Sequence, residues 1–231
     1  MAKFIVIEGL DGCGKATQTK LLKERLSKEG KKVTAISFPN YNSPSSAAVK
    51  MYLDGELGTN PSELNSYMCS SFYAVDRFIQ FKKEYEQYFN EDDRVIISDR
   101  YISANIIHQG AKLDNIIERE KFIKWCYEYE CGLCGLPVED ITIMLTIKPE
   151  ISQRLLLKRY NNDSSKKDIH ENSLEYLEKC YDRLKHSVEV VNSMPNMHWE
   201  MLDCSLGDTD VKCIEQISDE IYSILSSKLR L

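Results

Sequence analysis

The 231-residue chain has no apolar run approaching the ~20 residues of a membrane span, so no membrane is expected as a partner. It also lacks any excess of positive charge. There are 30 Lys and Arg against 36 Asp and Glu, a formal net charge of −6, which argues against a nucleic-acid polymer as partner. The opening "MAKFIVIEG" holds only a short apolar stretch closed by Glu8, too short for a secretory leader, so a cytoplasmic protein is expected. The 8 cysteines are scattered without an export signal, which favours reduced thiols over a disulfide framework. One local pattern stands out, "CGLC" (Cys131 and Cys134, with Cys126 upstream). No second such pair completes a zinc site, and the segment precedes a Gly-Leu-Pro turn, so it reads as loop thiols. Internal repeats and low-complexity linkers are missing too, and residues 1–231 are expected to form a single domain.

What is present alternates. Short β-branched runs at 3–8, 32–38, 94–99, 140–147 and, more weakly, 197–203 are separated by stretches of helical spacing. The helical stretches are 61–89, 115–130, 150–160, 172–193 and 209–229, with another after the first strand that carries Leu21, Leu22 and Leu26 up to Gly30. Strands that alternate with helices predict an α/β fold, a parallel five-stranded sheet flanked by helices on both faces. The polar "NNDSSKKD" (161–168) reads as a loop between helices, not a domain boundary.

Between the first strand and first helix lies "GLDGCGKATQT". Gly9, Gly14 and Lys15 fit G-x-x-x-x-G-K in the strand–loop–helix setting that this pattern requires. Glycines let backbone N–H groups converge on phosphate oxygens, the helix N-terminus adds partial positive charge, and Lys15 supplies a full one. Ala16 stands where a magnesium-ligating hydroxyl is usual. Thr17 is about 100° further around the helix, so it reaches a phosphate more readily than it replaces that hydroxyl. Mg2+ would then be held by carboxylate, water and ATP, with Asp99, at the end of an apolar strand, as the candidate protein ligand; a strand-end cap is the alternative for Asp99.

In these residues the chain resembles the thymidylate kinases, a family of P-loop nucleoside monophosphate kinases. "FIVIEGLDGCGKATQ" is similar to the family's N-terminal pattern, and "FPNY" (38–41) to its Phe-Pro loop. "FYAVDRF" (72–78) resembles the stretch that grips the base, and "SDRYISANIIHQGAKL" (98–113) the Asp-Arg-Tyr signature. "KRYNNDSSKKDIHE" (158–171) occupies the place of the lid, and "WEMLDCSLGDTDV" (199–211) that of the adenine-side segment. The resemblance implies transfer of the γ-phosphoryl of ATP to dTMP, giving dTDP and ADP in dTTP synthesis, with magnesium, in a homodimer.

It also implies residue roles. ATP would lie on Gly9, Leu10, Asp11, Gly12, Cys13, Gly14, Lys15, Ala16 and Thr17. Lys15 would hold the β- and γ-phosphates, and Arg100 would reach between donor and acceptor, its fork suiting phosphate. Asp11 would sit near the acceptor. Alternatively Arg100 is a surface ion pair and Asp11 stabilises the loop turn. Tyr73 would stack on the base, one helical turn from Arg77, which would donate to a thymine carbonyl. Phe38 and Pro39 flank the acceptor, Asn105 and His108 would line the deoxyribose, and Gln109 would touch a base edge. Lys158, Arg159, Lys166 and Lys167 are lid candidates for phosphate; Arg159 is the choice because Cys13 fills the loop position where the family can carry arginine. Glu171 and Tyr176 match lid-anchoring positions.

Two departures are visible. His108 replaces a more usual tyrosine, and Asn40 follows Pro39 where an arginine is common. They leave rival readings: another nucleoside monophosphate or deoxynucleoside kinase, a non-catalytic nucleotide-binding relative, or a redox or zinc protein built on Cys131 and Cys134.

Overall fold

The structure, a computed structural model, describes residues 2–161, 163, 168–171 and 173–229. Five strands form one all-parallel sheet: β1 (Lys3–Gly9), β2 (Lys32–Ser37), β3 (Arg94–Asp99), β4 (Ile141–Thr146) and β5 (Trp199–Asp203). Their order is β2-β3-β1-β4-β5. β1 is central, with Ile5 in register with Ile97 of β3 and with Ile141 of β4. Both faces of β1 and β4 are covered, which is why these strands read as unbroken apolar runs.

Alternate side chains feed two cores. Phe4, Val6, Ile96, Met144 and Trp199 face one side. There they meet α5 (Ile102–His108), α6 (Ile116–Tyr127) and α8 (Leu174–Asn192). Ile5, Ile7, Ile97, Ile143 and Leu145 face the other. There they meet α1 (Lys15–Lys28), α7 (Pro149–Arg159) and α9 (Ile214–Leu229). Two further helices, α2 (Ala47–Leu53) and α3 (Ser66–Gln80), pack on each other through a third, smaller core of Val49, Tyr52, Leu53 and Cys69, and α4 (Glu86–Phe89) follows α3.

Three expectations need correction, and two helices were not foreseen. The helical stretch 61–89 is broken: Pro61–Glu63 make a 3-10 turn, Leu64 is extended, and Asn65 starts α3 afresh by accepting from the Met68 N–H. A wide π-turn over Phe81–Tyr85 then separates α3 from α4. The stretch 209–229 is helical only from Ile214, because Asp210–Val211 pair with Ser205–Leu206 as a small hairpin (β6 and β7). The cysteine pair is not in a plain loop: Cys131 lies in a π-turn, Glu128–Leu133, that prolongs α6. α2 and α5 went unpredicted. α5 is buried almost all round and so shows no amphipathic stripe.

The site follows from the strand order. The chain passes from β1 to β2, returns to place β3 between them, and then adds β4 on the far side of β1. The crevice at that reversal, outside the carboxyl ends of the strands, is where such sheets bind ligands.

Candidate functional site

One cleft of about 880 Å³ occupies that position. Its floor begins with α1. The N-cap of α1 is Gly14, at φ 92°, with no side-chain cap and no acidic residue in the first turn. The helices α3, α6 and α8 instead carry Asn65, Asn115 and Ser173 as side-chain caps. The unsatisfied N–H groups of α1 are therefore left for an anion. Gly14, Ala16 and Thr17 are exposed and line the cleft. A Cβ on Gly9 would come within 2.3 Å of the Leu145 carbonyl oxygen, so only glycine passes β4 at that point. Gly9, Leu10 and Cys13 do not line the cleft: Leu10 and Cys13 point into the two cores, leaving these residues their backbone alone to offer.

A charged cluster closes the loop. Lys15 Nζ donates to the carbonyls of Gly9 at 2.9 Å and Leu10 at 3.0 Å, and lies 3.7 Å from Asp11 Oδ1. Arg100 pairs with the same Asp11 carboxylate and stands 3.7 Å from Glu8. Arg100 and Lys15 hold Asp11 far below the usual carboxylate range, against the upward push of its own burial. Glu8, fully buried, accepts from the Gly9 N–H and from Ser103 Oγ, tying the loop to α5. Arg100 sits in the left-handed region at φ 70°, a backbone cost for a non-glycine residue that clusters at functional sites. Asp99, beside it, lines the cleft.

The opposite end carries the second group. Tyr73, Arg77, Asn105, His108 and Gln109 all line the cleft, with Phe38 and Pro39 at its side. Arg77, 1% exposed, makes a bidentate pair with Glu130: Nε and Nη2 each donate at 2.6 Å. Asn105 Nδ2 donates to the same Glu130 Oε1 and to the Ser70 carbonyl. Gln109 is bonded instead to Tyr52, whose hydroxyl lies 2.6 Å from His170 Nε2 and accepts from Lys112. His108 stacks on His170 at 5.4 Å, under Tyr176, which donates to the His108 carbonyl. Burial and Arg100 push the His108 ring down to about 3.

From the segment expected to be a lid, Arg159 and Tyr160 line the cleft, and Lys158 does not. Glu171 accepts from Tyr160 and, through its carbonyl, from Gln153, so it pins the segment to α7. Asp168, raised by burial and Asp11 to about 7, also faces the cleft. Lys166 and Lys167 lie outside the described residues. Asn40 does not reach the cleft; its amide bonds Gln80 and its N–H bonds Asp76, so it braces the loop after Phe38. Sequence reasoning missed Glu8, Tyr41, Lys50, Asp168 and Glu130. Lys50 lies in a stretch with no recognisable pattern, Asp168 is an acid in a lid-like segment read only for its cations, and Glu130 stands among other helix acids.

Comparison with known proteins decides the family. The thymidylate kinase family model matches residues 7–197. The chain belongs to the thymidylate kinase family. A probable thymidylate kinase of Methanosphaera stadtmanae is 34% identical over 176 residues, covering 76% of this chain and 78% of that protein. A thymidylate kinase of Prochlorococcus marinus is 28% identical over 96% of this chain and 95% of its own. The fold is that of the solved Candida albicans thymidylate kinase, TM-score 0.65 at 20% identity over 98% of this chain and 92% of that one. It is equally that of the Ehrlichia chaffeensis enzyme, TM-score 0.63 at 19% identity over 97% and 98%. Family membership makes the chain a phosphotransferase with the family's reaction, phosphorylation of dTMP by ATP. The zinc reading of Cys131 and Cys134 finds no support: no group of three or more metal-ligating side chains exists among the described residues.

Proposed function

We propose that the cleft holds ATP at its α1 end and dTMP at its Arg77 end, and that the residues between them carry the transfer. One observation supports this above the rest: a helix N-terminus bare of caps and acids shares a single cleft with a buried Arg–Asn pair of pyrimidine-reading chemistry, and Arg100 stands between them. Two polyanions must meet, so the chemistry is positioning and charge neutralisation. Lys15 leaves the Gly9 and Leu10 carbonyls for the β- and γ-phosphates. Arg100, oriented by Asp11 and Glu8, spans donor and acceptor phosphates. Arg159 approaches the moving phosphoryl from the lid, residues 158–171. The acceptor phosphate is already ionised near neutral pH and needs no general base. Lys50, on α2, adds a cation on the acceptor side where Asn40 supplies none.

Asp99 fits Mg2+: a carboxylate in a cleft, beside a phosphate loop, matches an ion that binds through one or two carboxylates, waters and substrate phosphates. The ion would neutralise phosphate charge; the chain's own part is to hold it at Asp99. Met68, Val75 and Phe78 lie exposed along one face of α3, which supports a homodimer through that helix; the mass in solution tests it, and one chain's mass would contradict it. No helix among the described residues is long and apolar enough to cross a membrane, and a cytoplasmic enzyme acting on free nucleotides is the reading adopted.

The test is ADP release with ATP, magnesium and a panel of dTMP, dCMP, UMP and thymidine. Turnover is expected with dTMP and at most weakly with the rest. Phosphorylation of thymidine alone would overturn the assignment.

A further inference from the structure

Glu130 entered none of the roles above, yet two of the residues at the pyrimidine end of the cleft, Arg77 and Asn105, depend on it. It lies in the π-turn that prolongs α6, the segment marked in the sequence only by its cysteines. Backbone bonds from Cys134 to Tyr129 and from Leu136 to Glu130 close the turn, which aims the Glu130 side chain inward. The side chain is 1% exposed. Its Oε1 accepts from Arg77 Nη2 at 2.6 Å and from Asn105 Nδ2 at 3.1 Å, and its Oε2 accepts from Arg77 Nε at 2.6 Å.

These bonds fix the polarity of what the cleft offers a base. Both neighbours of the Asn105 amide nitrogen, Glu130 Oε1 and the Ser70 carbonyl, can only accept, so the nitrogen must face them. Asn105 Oδ1 is left as an acceptor with no partner among the described residues. Arg77 uses three of its donors on Glu130 and the Tyr101 carbonyl and keeps two N–H groups. Because Arg77 and Asn105 share one carboxylate oxygen, donor and acceptor stand side by side. Thymine and uracil present an acceptor (O4) next to a donor (N3–H). Cytosine presents the reverse, an amino group next to an acceptor nitrogen.

We infer that Glu130 is the positioning residue that sets this site for keto-pyrimidine over amino-pyrimidine monophosphates, by locking the Asn105 amide in one sense and the Arg77 fork in place. This rests on the proposed location of the pyrimidine. It shifts Asn105 from the sugar to the base edge, and it gives the π-turn after α6 a function.

The experiment compares kcat/KM for dTMP and dCMP in the wild type, Glu130→Gln and Glu130→Asp, with KM for ATP measured alongside. In Glu130→Gln the new amide can donate to Asn105, which frees the Asn105 amide to turn and removes the charge that anchors Arg77. The dTMP-to-dCMP ratio should fall about ten-fold or more, chiefly through KM for the pyrimidine, with KM for ATP unchanged. Glu130→Asp keeps the charge opposite Arg77 and serves if Glu130→Gln does not fold. One carbon shorter, it cannot reach both partners, so its ratio falls too, by a smaller factor. An unchanged ratio, or an equal loss on both substrates, would make Glu130 merely structural and end the inference. A wild type that shows no preference for dTMP over dCMP would instead overturn the proposed position of the pyrimidine.

Discussion

His108 and Arg100 constrain each other. Arg100 Nη1 lies 3.3 Å from His108 Nε2, and a guanidinium only donates, so the imidazole accepts there and is neutral. Its ordinary value of 6.5 falls to about 3, and that of His170 falls well below, both first by burial. A group held neutral in the fold contributes stability that is complete above 6.5 and is lost as pH falls toward 3, because only the unfolded chain takes up the proton. Asp168 works the other way: its folded value lies above 3.8, so its contribution falls as pH rises toward about 7. Comparing wild type with His108→Phe cancels Asp168. By urea unfolding, the stability difference should change by roughly 1.4 kcal/mol per pH unit between about pH 6 and about pH 4, the wild type losing more on acidification. Parallel curves would contradict the neutral-imidazole assignment. At this scale the sequence shows charges and spacings well. Lys15, Asp11 and Arg100 stood out through the loop and the Asp-Arg-Tyr block. Glu130 did not, because its partners lie 53 and 25 residues away and only folding brings them together.

At the scale of elements, the first strand, its loop and α1 were legible because each step has a local cause: a β-branched run, glycines at left-handed positions, then helical spacing. The strands β2, β3 and β4 followed for the same reason. The parts that escaped are those whose pattern tertiary packing erases. α5 is buried on nearly every side, and the hairpin of β6 and β7 has strands of 2 residues each. Two glycines of the loop separate folding from function. Gly9 at φ 150° has the Leu145 carbonyl against its missing Cβ, whereas Gly14 at φ 92° has nothing within 4 Å. Gly9→Ala should therefore cost several times the ~1–2 kcal/mol that a left-handed alanine costs on its own at Gly14. Gly14→Ala should fold and still lose ATP affinity, since its methyl enters the space that phosphate must approach. Urea unfolding and nucleotide titration check the pair; equal stability losses, or full ATP affinity in Gly14→Ala, would contradict it.

The whole molecule gathers both proposed ligand ends beyond the carboxyl ends of the strands. β1 and β3 deliver the phosphate loop and Arg100; α3 delivers Arg77 and α5 delivers Asn105 at the other end; α7 adds Arg159 to the cleft's lining. The α/β class and five parallel strands were readable from alternation alone. The strand order and the shared cleft were not, since neither leaves a local trace in sequence. The central claim is that the two ends hold two different nucleotides at once. A crystal structure with dTMP and a non-hydrolysable ATP analogue tests it most directly. The triphosphate should lie on the backbone of residues 12–17 and the thymine against Arg77, with both phosphate chains converging on Arg100. A triphosphate bound elsewhere, or an Arg77 end closed to the pyrimidine, would contradict it.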